Sequence, residues 1–210
     1  MLINLKNKKA ISLTELIIAS AMIGIVMLGM ASVDFATRQA QISTSRNAFV
    51  ATRVGAMMID LTKNASLAMG DAQDVGIRSG TVLTVPYLCF RQDVNASYAP
   101  NNTPSDYSDD YWECYTLRTG FFANFSMARC HYTVTLPCIA GVAGGIEIGR
   151  AQSFTYTYTP STTGSNLQNY VEMTITSRYD HTTASDPLKN PTCTMTSRVT
   201  PMGQSLGYAP

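Results

Sequence analysis

The chain has 210 residues, enough for one ordinary domain with an appendage. Charged residues make up 14% of it, against about a quarter in an average soluble domain. The net charge is +1, which leaves no general electrostatic case for nucleic acid or an anionic surface as partner.

The charge is unevenly placed. Lys6, Lys8 and Lys9 lie before residue 11, and the remainder is slightly acidic. Residues 16–33, LIIASAMIGIVMLGMASV, carry no charge. At helical rise such a run spans roughly 27 Å, close to the hydrocarbon thickness of a bilayer. The lysine flank keeps the N-terminal end cytoplasmic and sends everything after Asp34 across. No A-x-A-like site follows the run, and no cysteine precedes Cys89, so secretory and lipoprotein signals fit worse.

Proline is absent before Pro86, and between Ile11 and Met69 the only glycines are Gly24, Gly29 and Gly55. This predicts one long helix over 11–69, ended by Gly70, Gly76 and Gly80. Its first half is apolar all round. In its second half Val50, Val54, Met57, Met58, Leu61 and Ala65 recur at spacings of three and four, and Arg46, Arg53, Asp60 and Lys63 take other faces. A globular body is expected on the apolar stripe.

That body reads as β-rich over 70–210. Residues 152–159 alternate Phe154, Tyr156 and Tyr158 against threonines. In 170–178, Val171, Met173 and Ile175 oppose Glu172, Thr174 and Thr176, and 193–199 alternates likewise. Period-two alternation with β-branched and aromatic residues marks strands. The three form an antiparallel meander with one face on the helix. Weaker strands are expected at 81–90, 112–118 and 130–136, with a long surface loop over 95–111. The fold class is therefore α+β: a long N-terminal helix on an antiparallel sheet, with 1–10 as a basic leader.

The five cysteines contain no C-x-x-C pair, which weakens a zinc or thioredoxin-like reading. In an oxidising compartment they predict disulfides: Cys130–Cys138 around Pro137 first, Cys89–Cys114 next, with Cys193 left over. Asp106, Asp109, Asp110 and Glu113 cluster in the long loop. Calcium asks for about six or more oxygens, and with no EF-type spacing or turn glycine the plainer expectation is a solvated acidic loop and no metal. His131 and His181 are the only histidines. In an alternating strand His131 points away from Cys130, so the two make no catalytic pair. No G-x-S-x-G, H-E-x-x-H or P-loop occurs, and neither enzymatic activity nor a cofactor is expected.

The junction of leader and helix reads KNKKA-ISLTELIIASAMIGIV: a basic leader, small Ala10, hydrophobic Ile11, then Glu15 and the apolar run. Over residues 6–34 it resembles the class III signal of type IV pilins and type II secretion pseudopilins. The stretch from Arg53 to Ala68 and the strand ending Arg198-Val199 look most like the larger minor members. The resemblance implies a pilin-like fold in the inner membrane with a periplasmic head. It implies cleavage between Ala10 and Ile11 by prepilin peptidase, N-methylation of Ile11, and engagement with an assembly platform. It also implies assembly with other pilin or pseudopilin subunits, in which Glu15 meets the Ile11 amine of a neighbour. Glu15 could instead pair within its own chain, or serve only as a favourable charge at a helix N-terminus. The family usually has Gly and Phe where this chain has Ala10 and Ile11. Many major pilins have Pro where it has Ser32, which puts their loosened helical segment in doubt here. The rival reading is a membrane-anchored binding module, adhesin- or receptor-like.

Overall fold

The computed structural model describes residues 12–70, 76–82, 85–95, 97, 99–100, 106, 108–120, 123–132, 145–159 and 170–201. The chain divides into two units, Met1–Thr44 and Ser45–Pro210. A single helix, α1 (Leu13–Ser66), contributes to both. It ends three residues before the expected Met69, where Ala68 N–H turns back to the Ala65 carbonyl at 3.3 Å, a 3₁₀-type tightening of the last turn.

In the first unit α1 runs unbroken through Gly24 and Gly29, because neither glycine alone costs more than about 1 kcal/mol in a helix. All side chains from Leu13 to Phe35 are exposed. Such a helix buries nothing in its own unit, and it is long and apolar enough to cross a membrane.

The second unit holds the head. Eight strands follow α1: β1 (Ile77–Val82), β2 (Val85–Gln92), β3 (Tyr111–Gly120), β4 (Ala123–Tyr132), β5 (Ile146–Arg150), β6 (Ser153–Thr159), β7 (Tyr170–Arg178) and β8 (Thr192–Val199). All pairings are antiparallel. Strands β1 to β5 form one sheet in chain order, and β6-β7-β8 form a second.

The second sheet is the expected meander. Phe154, Ile175 and Met195 stand in one cross-strand row, on the face where Phe154, Val171, Met173 and Ile175 are buried. On the other face Thr174 bonds Thr196 and Thr176 bonds Thr194, each at 2.9 Å, the cross-strand hydroxyl pairs that suit a wet surface.

The first sheet departs from expectation. The single strand read over 81–90 is the hairpin β1–β2, and β4 starts at Ala123 rather than 130. Strand β5, IEIGR, is not among the strands expected from the sequence. Its glycine, Gly149, sits close against the Met57 side chain of α1. A Cβ on it would lie 2.7 Å from Met57 Sδ, so glycine lets β5 lie against the helix.

The core joins the α1 stripe Val50, Val54, Met57, Met58, Leu61 and Ala65 to Leu88, Phe90, Tyr115 and Met127 of the first sheet and to the buried face of the second. Helix packing against sheet faces is how an amphipathic stripe of this kind becomes stable.

Candidate functional site

The candidate site expected from the sequence lies at the N-terminus of α1. Ser12 is the N-cap: its carbonyl accepts the first helical bond from Leu16 N–H at 3.1 Å. Its hydroxyl accepts from Thr14 N–H at 3.2 Å. In return the Glu15 carboxylate accepts from Ser12 N–H at 3.0 Å. This is a reciprocal capping box, which satisfies two of the donors a helix start leaves orphaned. The signature S-x-x-E ahead of an apolar run was present in the sequence and went unread. In a single copy, then, Glu15 is held by its own chain. Ala10 and Ile11, the expected processing pair, lie outside the described residues.

The cysteines fall on the first sheet. Cys89 and Cys114 are directly opposite on β2 and β3 and are bonded, with Cα atoms 4.0 Å apart. Closing a loop of 25 residues stabilises a head by roughly 3–4 kcal/mol in the chain-entropy account. Cys130 stands next in the same row, opposite Cys114, and is itself disulfide-bonded. Its expected partner Cys138 lies outside the described residues. Cys193 on β8 is a free thiol, half-buried.

The acidic loop is not the solvated cluster expected. Asp106 and Asp109 are exposed, but Asp110 and Glu113 are 2% and 1% exposed. Asp110 Oδ2 lies 3.7 Å from Nε of the equally buried Arg91. That Nε donates to the Met69 carbonyl at 3.1 Å, so the pair locks the chain just beyond α1 onto β2. Gly76 belongs to the same knot. Its carbonyl accepts from Arg91 N–H at 2.9 Å, and a Cβ there would sit 1.7 Å from the Met69 carbonyl oxygen. Glu113 turns inward to Arg129 Nε at 3.7 Å, and Arg129 Nη1 holds Asp60 Oδ1 of α1 at 2.8 Å. Asp60 Oδ2 accepts from the Tyr115 hydroxyl at 2.9 Å. That hydroxyl in turn accepts from Asn64, whose Oδ1 accepts from Gln92 at 2.9 Å. Burial, with the Asp60 charge beside it, pushes the Tyr115 phenol well up. Asn64, a formal glycosylation sequon, is buried in this network.

Burial pushes the Asp110 carboxyl up to about 6, with Asp93 adding to the rise and Arg91 opposing it. A folded-state pKa above the unfolded value means the folded head holds this proton more tightly. The stabilising contribution is therefore complete below about pH 4 and is lost as the pH rises through about 6. Thermal unfolding followed across that window should show a flatter pH profile for Asp110→Asn than for the parent. An identical slope in both would assign the dependence to another group.

Among the described residues no group of three His, Cys, Asp or Glu stands close enough to hold a metal ion. His181 lies just beyond β7, its Nε2 3.4 Å from Arg53 Nη1. No family model, no curated protein and no solved structure matches the chain.

Proposed function

We propose that this chain is a non-enzymatic subunit, of the minor kind, of a type IV pilus or a related secretion filament. It is held in the inner membrane by α1, processed by prepilin peptidase and assembled through its N-terminal helix. The observation that carries the reading is a single carboxylate, Glu15, at the mouth of an uncharged apolar run, residues 16–33 of α1, whose side chains are all exposed. It stands four residues after a small–hydrophobic junction with a basic leader.

The chemistry is consistent. Cutting between Ala10 and Ile11 removes the three leader lysines and frees an amine with an ordinary pKa near 8, largely cationic. A cation at a helix N-terminus opposes the helix dipole. Glu15 offsets it, first in its own chain and then, once helices gather and water leaves, in a neighbour. An unpaired charge would be costly there. The capping box survives the cut, since Ser12 keeps an amide N–H.

The expected mature N-terminus is N-methylated Ile11, read by mass spectrometry of protein extracted from membranes. An intact Met1 would leave α1 as a mere anchor, as in a tethered binding module, and a cut beyond Val33 would make it a secretory signal. Either result overturns the filament reading.

A further inference from the structure

Beside its buried stripe, α1 carries a second set of residues. Arg46, Phe49 and Arg53 follow at spacings of three and four, so they share one side of the helix. The loop after β7 is fastened to that side. Asn190, itself buried, orders the loop: its Nδ2 donates to the carbonyls of Asp180 and Ala184, each at 2.9 Å, and its Oδ1 accepts from Asp180 N–H at 2.7 Å. Asp186 closes the tip by accepting from Leu188 N–H at 2.8 Å and Lys189 N–H at 3.1 Å. Arg46 Nη1 then donates to the Lys189 carbonyl at 2.6 Å, which ties the tip to α1.

This ordered construction holds apolar surface out in water. Leu188 at the tip is 66% exposed. Phe49 and Tyr179 meet edge-on with ring centroids 5.8 Å apart, yet are 51% and 40% exposed. A guanidinium lies over each ring: Arg46 at 5.1 Å from the centre of Tyr179, and Arg53 at 4.5 Å from that of Phe49. Stacking fixes the guanidinium planes and leaves their in-plane N–H donors available. Among the described residues neither Arg46 nor Arg53 forms an ion pair.

We propose that this side of the head docks a carboxylate-bearing segment of another protein. Arg46 and Arg53 take its carboxylates, and Phe49, Tyr179 and Leu188 pack on its apolar side chains. Charge complementarity sets the sign of the partner, and a planar guanidinium with free in-plane donors suits a carboxylate held by two bonds. Exposed aromatics with arginines are the usual composition of a protein-binding hot spot. A nucleic acid fits less well. It draws on the order of 6–10 phosphate contacts, whereas two arginines stand here and the chain carries a net charge of only +1. All of these residues lie in the unit Ser45–Pro210. The contact therefore needs no processing of the N-terminus and stands apart from the filament reading.

The test is fluorescence anisotropy of a labelled synthetic peptide of repeated Glu-Glu-Leu, titrated with the full chain in neutral detergent. Binding should saturate, and should disappear in about 1 M NaCl, where the Debye length is roughly 3 Å. Arg46→Gln with Arg53→Gln should weaken it about tenfold. Phe49→Ala with Tyr179→Ala, which keeps both charges, should weaken it about tenfold as well. Arg46→Lys with Arg53→Lys should fall between parent and glutamine variant, because charge is kept and stacking is lost. Arg198→Gln removes a guanidinium that lies over Tyr170 on the other sheet and should bind like the parent. Native near-ultraviolet dichroism of each variant separates a lost contact from a lost fold. Several results would overturn the proposal: no saturable binding, a Gln-Gln-Leu peptide that binds as tightly, or Arg198→Gln as defective as the Arg46 and Arg53 pair. Inorganic polyphosphate that displaces the peptide at fewer charge equivalents would make the patch a phosphate site instead. Parent chains that self-associate in sedimentation, and cease to do so in the glutamine variant, would place a second copy of this chain there.

Discussion

Glu15→Ala is expected to leave the protein at its normal level in the membrane and to deplete it from sheared filaments by at least a hundredfold. Alanine in place of a carboxylate at the membrane edge does not hinder insertion, because the apolar run becomes longer. Residue 15 lies in the first unit, Met1–Thr44, and its described hydrogen bond is to Ser12 of that same unit. What is lost, on the proposed filament reading, is a charge that would meet a neighbour's amine, and removing one partner of a well-buried pair costs roughly 3–5 kcal/mol.

The capping box makes this experiment sharper than it would otherwise be. Glu15 has a local duty, the bond from Ser12 N–H at 3.0 Å, and its loss alone frays a helix start by about 1 kcal/mol. Glutamine also serves at that position of a capping box. If capping were all that mattered, Glu15→Gln would behave like the parent and Ser12→Ala would be defective. If the charge matters, Glu15→Gln fails as badly as Glu15→Ala, while Ser12→Ala still assembles. The readout is protein in sheared filaments relative to the membrane pool. Parent-like partitioning of Glu15→Gln would reduce Glu15 to a helix-end residue.

Periodicity made part of this fold legible and hid another part, and the division has a physical cause. The stripe from Val50 to Ala65 and the alternation in β6, β7 and β8 each repeat several times within one segment, so a single element carries its own signal. Strand β5 is five residues with a glycine, and its place depends on Met57 of another element. Nothing local announces it. The hairpin β1–β2 was read as one strand because Gly80 looked like the end of a connector, whereas it lies within β1. The acidic loop shows the limit most clearly. Asp110 and Glu113 carry the same sequence cue as Asp106 and Asp109, and only their distant partners Arg91 and Arg129 distinguish buried ion pairs from a wet surface. At the N-terminus the reverse holds: the capping residues lie within four positions of each other, so that part of the candidate site was readable throughout.

Arg129→Met should destabilise the head by roughly 3 kcal/mol at neutral pH, near the low end for breaking a buried pair. Arg129 lies between two carboxylates, Asp60 of α1 at 2.8 Å and Glu113 of β3 at 3.7 Å. Its own side chain is 26% exposed, which moderates the loss, but the Glu113 side chain is only 2% exposed and has no ready recourse to bulk water. Methionine preserves much of the arginine stem, so the change removes the charge with little loss of packing. For a unit of this size the expected fall in melting temperature is about 6–12 °C. The defect should shrink on acidification. A buried carboxylate that has lost its cation is less costly protonated than charged, so the variant should regain stability as the pH falls. Adding Glu113→Gln should restore a good part of the loss at neutral pH, because the buried charge goes with its partner. The measurement is thermal unfolding of the full chain in detergent at pH 5 and pH 7.5, followed by near-ultraviolet dichroism. A single variant within about 0.5 kcal/mol of the parent, or a double variant no more stable than the single, would show that Arg129 is a surface cation and that α1 is held to the first sheet by its apolar stripe alone.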